Sequence, residues 1–336
     1  MPRPARRRAT VTVVAVVALV CVTILSLSVG ARDLSPSEVV GALLWPDDSV
    51  EATVVIEKRL PRTLVGLLVG AGLAAAGVIM QALTRNPLAD PRIFGVSAGA
   101  SLGVVVAIAG FGLASLSQYV WFGIAGALAA GLVGFMIAHT VSRGREGSSP
   151  VTLALVGTAL DASLSAVIYG VLTTSAQSFD QYRFWVVGSL AGRDAAVAWQ
   201  VSPFLVAGLV VAAVIARGLD ALVLGEEMAS GLGHRTGIVR FAGAVAVALL
   251  TGAAVAAAGP VGFIGLAIPH LVRLLVGHDH RPVLLVSMLL GPVLLLAADV
   301  LGRRITAGEM PAGIVTALVG APVLILLVRR AKAVAV

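Results

Sequence analysis

The sequence predicts an all-α fold: one polytopic membrane domain over residues 1–336 that crosses the bilayer about ten times. Three observations carry that prediction. The 336 residues are 58% hydrophobic and only 12% charged, whereas a soluble domain carries roughly a quarter charged residues. Mean hydropathy is +1.01. Apolar runs bounded by charge, Pro or Gly recur along the chain, at roughly 11–30, 60–83, 93–116, 119–141, 151–172, 197–217, 239–258, 261–277, 283–301 and 312–328. Most are long enough to span a bilayer as a helix, the run at 261–277 being the short one. No long hydrophilic block interrupts them.

Charge sets the orientation. With the amino terminus inside and ten spans, sixteen of the 24 Lys and Arg fall on the inner side, Arg85 and Arg92 among them. That obeys the positive-inside bias and puts both tails, 1–9 and 329–336, in the cytoplasm. The basic balance does not point to nucleic acid, because no soluble domain carries a basic face. Cys21 is the single cysteine, so no intrachain disulfide can form. Arg6, Arg7 and Arg8 precede the first run and are read as holding an uncleaved first span in place.

Taken in order, the first span is followed by a polar outer segment at 31–58. Within it, Ser35, Pro36 and Glu38 form a capping-box start for a short amphipathic helix. The second span, 60–83, opens on RLPR (Arg59 and Arg62) and is dense in small residues: Gly66, Gly70, Gly72, Ala74, Ala75, Ala76 and Gly77. Small residues let helix backbones approach closely inside lipid, so this helix is expected within a bundle. RNPLADP, with Pro87 and Pro91, breaks it and is expected to be a cytoplasmic turn. SRGREGSSP, at 142–150, is read as a second inner loop.

On the span at 151–172, Thr158, Asp161, Ser165 and Tyr169 follow steps of three or four and share a face. An acid deep in an apolar run is costly, so Asp161 marks either a pathway or a helix–helix hydrogen bond. The outer segment 175–196 carries Tyr182, Phe184 and Trp185, as an interfacial helix would. Segment 218–240 is an inner loop with an apolar thread (Leu222, Leu224, Met228, Leu232), a glutamate pair and closing glycines. An exposed yet partly apolar surface helix implies a protein docked beneath it; resting on lipid headgroups is the other reading. In GPVGFIGLAIPH, Pro260, Gly262, Gly265 and Pro269 predict a broken or re-entrant start. His270 reads as a structural histidine, and His278 with His280 is a weak metal signal without cysteines or a carboxylate pair.

No enzyme motif is present: no phosphate loop of the G-x-x-x-x-G-K-[ST] type, no H-E-x-x-H, no G-x-S-x-G and no C-x-x-C. Hydrolysis of ATP by this chain is therefore not expected. An ion-coupled carrier, with Asp161 as its coupling acid, stays open on chemistry, as does a non-transporting scaffold or receptor.

Four blocks occur in order: RLPR with GAGLAAAGVIMQALTRNPLADPRIFGVSAGAS; FWVVGSLAG; LGEEMASGLG; and GFIGLAIPHLVRLLVGHDHR with LAAD and GEMPAGIVTALVGAP. Together they resemble the FecCD family, the membrane permeases of binding-protein-dependent ABC importers for iron–siderophores, haem and vitamin B12. The resemblance covers almost the whole chain after about Ser35. It implies a ten-span permease with the type II importer fold of the vitamin B12 permease. It also implies a second permease subunit, identical or related, two ATPase subunits that use ATP and Mg, and an extracytoplasmic binding protein. No cofactor or metal bound by this chain is implied.

Carried over residue by residue, the coupling loop that sits in the ATPase matches Leu224, Gly225, Glu226, Glu227, Ala229, Leu232, Gly233 and Arg235. Outer arginines Arg59, Arg62, Arg303 and Arg304 match exposed partners for acidic residues on the binding protein. Ser148 and Ser149 match the inner mouth of a pathway lined by Thr158, Asp161, Ser165 and Tyr169. Asp161 departs from the family pattern as an acid at its position and is expected to tune the pathway to a cationic cargo. Ferric siderophore is the expected cargo, with haem or vitamin B12 as alternatives.

Overall fold

The computed structural model describes residues 4–141, 150–223, 236–306 and 308–334, and every regular element among them is helical. In chain order these are α1 (Pro4–Ser28), α2 (Pro36–Leu44), α3 (Val50–Thr53), a π turn (Val54–Arg59), α4 (Leu60–Leu83), a 3-10 turn (Pro91–Phe94) and α5 (Val96–Val105), which a π turn extends to Gly110. Then come α6 (Leu116–Val141), α7 (Pro150–Leu172), α8 (Ala176–Val186), α9 (Ala195–Val223), α10 (Thr236–Ala258), α11 (Ile264–Val276), α12 (His280–Ile305) and α13 (Ala312–Val334). Seven helical stretches are long and apolar enough to cross a membrane. Three shorter apolar helices, Val96–Gly110, Ile264–Val276 and Ala312–Ile325, bring the set to ten.

Helix α4 is the axis of the bundle. It packs against α12, α10, α9 and α11, and its small residues explain how it can touch so many neighbours. Gly66 meets Leu296; Gly70 meets the backbone of Gly291 and Pro292; Gly72 meets Leu205; Gly77 meets the Gly265 carbonyl. A β-carbon at Gly70 would lie 2.5 Å from Pro292 Cα, closer than real contacts permit. Inside lipid, helices associate through such close contacts rather than through hydrophobic drive. Gln81, near the end of α4, donates from Nε2 to the carbonyls of Gly265 and Leu266 and accepts from Arg273. It thereby fastens the start of α11 to α4.

The capping box at α2 is formed. Ser35 Oγ accepts from Glu38 N at 3.3 Å, and Glu38 Oε2 accepts from Ser35 N at 2.6 Å. The broken segment between α10 and α11 is also present: residues 259–263 are non-helical and α11 begins at Ile264. There the ends of three helices meet. Ser189 N donates to Ala258 O at 2.7 Å, and Gly313 N donates to Gly188 O at 2.9 Å. Gly188 and Gly259 both take φ of +74°, which only glycine adopts without strain, and Gly259 lies against the Trp185 carbonyl.

Two sequence expectations are corrected by this packing. Tyr182 and Trp185 of α8 are buried, at 8% and 3% exposure, so they serve the core and not an interfacial belt; Phe184 faces out. The reason is that α8 ends against the α10–α11 break. RNPLADP is also more than a turn beyond the C-terminal end of α4. It carries the chain back so that Pro91 packs on Gly265, which itself rests on the carbonyl of Leu73, about halfway along α4. Asn86 Oδ1 accepting from Leu88 N and Asp90 Oδ1 accepting from Arg92 N hold the returning segment in shape.

Candidate functional site

A cavity of about 480 Å³ opens beside α7. All four residues of the polar α7 face, Thr158, Asp161, Ser165 and Tyr169, line it. Facing them are Ser97 and Ser101 of α5, Tyr182 of α8, and the pair Asp90 and Arg92. No local pattern around residues 85–92 places that pair here. The returning segment does so: Gly95, at φ +71°, ends the 3-10 turn against Gly157 and Leu160 of α7. The Arg92 guanidinium thereby lies against Gly262 in the α10–α11 break. Arg92, counted above as an inner-loop charge, is therefore a cavity residue.

The charges in this cavity are unequally matched. Arg92 donates from Nε to Asp90 Oδ1 at 2.9 Å and from Nη2 to Oδ2 at 3.2 Å. That two-pronged contact is the strong form of a carboxylate pair. Asp161 is exposed to the cavity and, among the described residues, has no hydrogen bond or ion pair. Of its two sequence readings, the helix–helix hydrogen bond is thus not seen in the isolated chain. Ser97 Oγ is buried without a partner among the described residues.

The outer arginines behave differently from the expectation of exposed charge. Arg59 is 6% exposed. It donates to the carbonyls of Leu27 and Ser28, both at 2.7 Å, and to that of Arg32. The Leu27 and Ser28 carbonyls end α1 and lack helical partners, so a cation is the natural cap. Arg62 donates from Nε and Nη2 to the two oxygens of Asp299, at 3.0 and 2.8 Å, and from Nη1 to Glu309 Oε2 at 2.9 Å. Arg303 also holds Asp299 and donates to the carbonyls of Ser26 and Val29. Its side chain is 3% exposed, and that of Asp299 2%.

Three of the four arginines therefore face inward and tie α1, α4 and α12 together. Their charge is spent on Asp299 and on helix-end carbonyls, because the bundle brings those acceptors to the same place. Arg304 alone of the four is exposed, paired with Asp33 on the outer segment. That contact is the main reason the Asp33 carboxyl is held below its ordinary value.

The FecCD transport family model matches residues 18–330 of the chain. The chain belongs to the FecCD transport family. Among its FecCD relatives, the ferric enterobactin transport system permease protein FepD of Escherichia coli is 45% identical, over 93% of this chain and 92% of that protein. The probable siderophore transport system permease protein YfiZ of Bacillus subtilis is 41% identical, over 83% and 84%. The cobalamin import system permease protein BtuC of Halobacterium salinarum is 37% identical, over 93% and 88%. A solved metal-chelate type ABC transporter in an inward-facing conformation superposes with a TM-score of 0.85 at 30% identity, covering 96% of this chain and 99% of that one. The chain is thus a multi-pass membrane protein of a transport family.

In this FecCD protein the residues matched to the coupling loop, Leu224, Gly225, Glu226, Glu227, Ala229, Leu232, Gly233 and Arg235, lie outside the described residues. So do Ser148 and Ser149. The flanks of the coupling segment are described. Asp220, on the last turn of α9, accepts from His280 N at 2.9 Å, and its carboxylate lies 2.6 Å from His280 Nδ1. Asp279 caps α12 through Arg281 N and pairs with Arg8. The H-D-H segment thus fixes a corner between α9, α12 and α1. Its only signal in the sequence was the helix-start aspartate.

Proposed function

We propose that this chain is the membrane permease subunit of a binding-protein-dependent ABC importer, moving a ferric siderophore by ATP-driven alternating access. The observation that carries the reading is the polar cavity beside α7, set in a fold matched end to end by a metal-chelate type ABC transporter. An open cavity lined by several polar side chains in an otherwise apolar bundle has a use when a bulky polar cargo must cross. In this reading two permease subunits, identical or related, enclose the path, with Thr158, Asp161, Ser165 and Tyr169 on its wall and Ser148 and Ser149 at its inner mouth.

Two ATPase subunits bind and hydrolyse MgATP, since the chain has no phosphate loop of its own. Their closure is transmitted through the segment 224–235, and the cargo passes without covalent change. An extracytoplasmic binding protein delivers the chelate to the outer face, and both termini lie in the cytoplasm. Of the four arginines Arg59, Arg62, Arg303 and Arg304, only Arg304 has its charge at the surface, shared with Asp33, where that protein can meet it.

The test is reconstitution. The permease, its ATPase and its binding protein in proteoliposomes should accumulate a ferric siderophore only with ATP inside the ATPase compartment. Glu226→Arg combined with Leu232→Asp should leave ATPase turnover running while uptake falls at least tenfold. Uptake driven by an ion gradient with no ATPase present would select the secondary-carrier reading instead. The cobalamin permease relative, at 37% identity, favours a corrinoid as the second reading. Competition between a ferric chelate and cobalamin in the same vesicles separates the two.

A further inference from the structure

The cavity holds ionisable groups that do not cancel. Asp90 and Arg92 neutralise each other through two hydrogen bonds. Tyr169 and Tyr182 add aromatic rings without formal charge, and Ser165 adds a hydroxyl. Asp161 remains, unpaired among the described residues and open to the space. The wall therefore carries one uncompensated negative charge in a cleft with apolar surroundings. Such clefts focus field lines and concentrate ions of opposite sign by roughly 10- to 1000-fold, and aromatic faces add to the attraction for a cation.

We propose that this cavity selects, among metal chelates, those that present a cationic group, with Asp161 as the specificity-determining carboxylate. The proposal rests on the reading of the chain as a chelate permease. It adds the class of chelate: an ammonium- or guanidinium-bearing ligand shell, in preference to a purely anionic one. Arg92 does not reverse the sign, because Asp90 holds the Nε–Nη2 edge of its guanidinium and matches its charge, leaving Asp161 in excess. A cargo carboxylate or catecholate approaching Arg92 meets a cation whose charge Asp90 already balances, on a wall that also carries Asp161.

The matched probes are a linear ferric tris-hydroxamate with one free ammonium and the same chelate with that amine acetylated. Both are offered to the complete reconstituted importer. The ammonium form should enter about tenfold faster with the native residue, in line with the lower end of the focusing range. Asp161→Asn should bring the ratio close to one, and Asp161→Glu should keep it. A ratio unchanged in Asp161→Asn overturns the proposal.

A second measurement needs no cargo. In a Cys21→Ser background, Ser165→Cys places a thiol about one turn from Asp161. Its modification by a cationic and by an anionic methanethiosulfonate is timed in the assembled transporter. The cationic-to-anionic rate ratio should be about tenfold higher with Asp161 than with Asp161→Asn; equal ratios overturn the charge assignment. If no ferric chelate is carried in any ATP-driven assay while the thiol ratio still depends on Asp161, the chelate reading fails and the preference of the cavity for cations stands.

Discussion

Arg62 reaches across 237 positions of sequence to hold both carboxylate oxygens of Asp299, at 2.8 and 3.0 Å, in a part of the bundle where Asp299 is 2% exposed. Arg303 holds the same carboxylate from one helical turn further along α12. A carboxylate so buried is tolerable because two guanidinium groups donate to it. The cations are tolerable because α1 offers its terminal carbonyls to Arg303.

Asp299→Asn should therefore be severely destabilising. It leaves two largely buried guanidinium groups facing a neutral amide, and removal of one partner from a buried pair costs about 3–5 kcal/mol. Glu309→Gln, on the half-exposed arm of the same network, should cost about 1 kcal/mol or less. Thermal unfolding of the two variants in detergent checks the order; equal melting temperatures would show that Asp299 is not the outer anchor.

Gly77→Ala should be far worse than Gly170→Ala. At Gly77 the added methyl meets the Gly265 carbonyl, whereas nothing lies within 4 Å of the corresponding position at Gly170. Forcing α4 and α11 apart should cost about 1–3 kcal/mol or more, while the exposed substitution should be neutral or slightly stabilising through helix propensity. The yield of folded protein extracted from membranes, together with melting temperature, reads the difference.

How far the sequence went can be judged on these residues. The ten apolar helices, the α2 capping box and the break before α11 were legible because each depends on local pattern: length, a cap at fixed spacing, Pro and Gly in one short run. The α7 face was legible for the same reason, since its polar residues recur at helical spacing. The partners of Arg59, Arg62 and Arg303 were not. They depend on which helix ends adjoin in space, and nothing within a few residues of RLPR signals the carbonyls of residues 27–32 or the carboxylate of Asp299. The place of Arg92 on the cavity wall was not legible for a related reason: a Pro-rich connection between two spans looks the same whether it stays clear of the bundle or folds back onto it.

Arg304→Glu should weaken binding-protein docking without unfolding the permease. Its side chain is more than half exposed and its partner Asp33 equally so. Exposed charge governs encounter rate more than affinity. The association rate at low salt should fall about tenfold, and the difference should shrink near 0.5 M salt, where screening is strong. By contrast, Arg59→Glu with Arg62→Glu should lose folded protein first. A normal yield of that double variant with only docking impaired would contradict the inward placement of these side chains.

Acidification should loosen the outer segment at Asp33. The Arg304 hydrogen bond lowers its folded pKa from 3.8; desolvation opposes that as the next largest effect, and the Gly30 backbone bond with the Arg304 and Arg59 charges add further lowering. A depressed carboxylate pKa means that the contact contributes fully above pH 3.8 and is lost as pH falls through the lower folded value. Amide exchange at residues 30–34 should accelerate over that window and not between pH 5 and 8. Arg304→Gln should remove most of this dependence.

The meeting of Gly188, Gly259 and Gly313 at helix ends, with Pro91 folded onto Gly265 nearby, gives the molecule a seam. Helices α8, α10, α11 and α13 begin or stop around it, whereas α4 runs past unbroken. The four interrupted rods can therefore shift against a continuous post, and Val186 and Pro260 carry such a shift to the wall on which Asp161 stands.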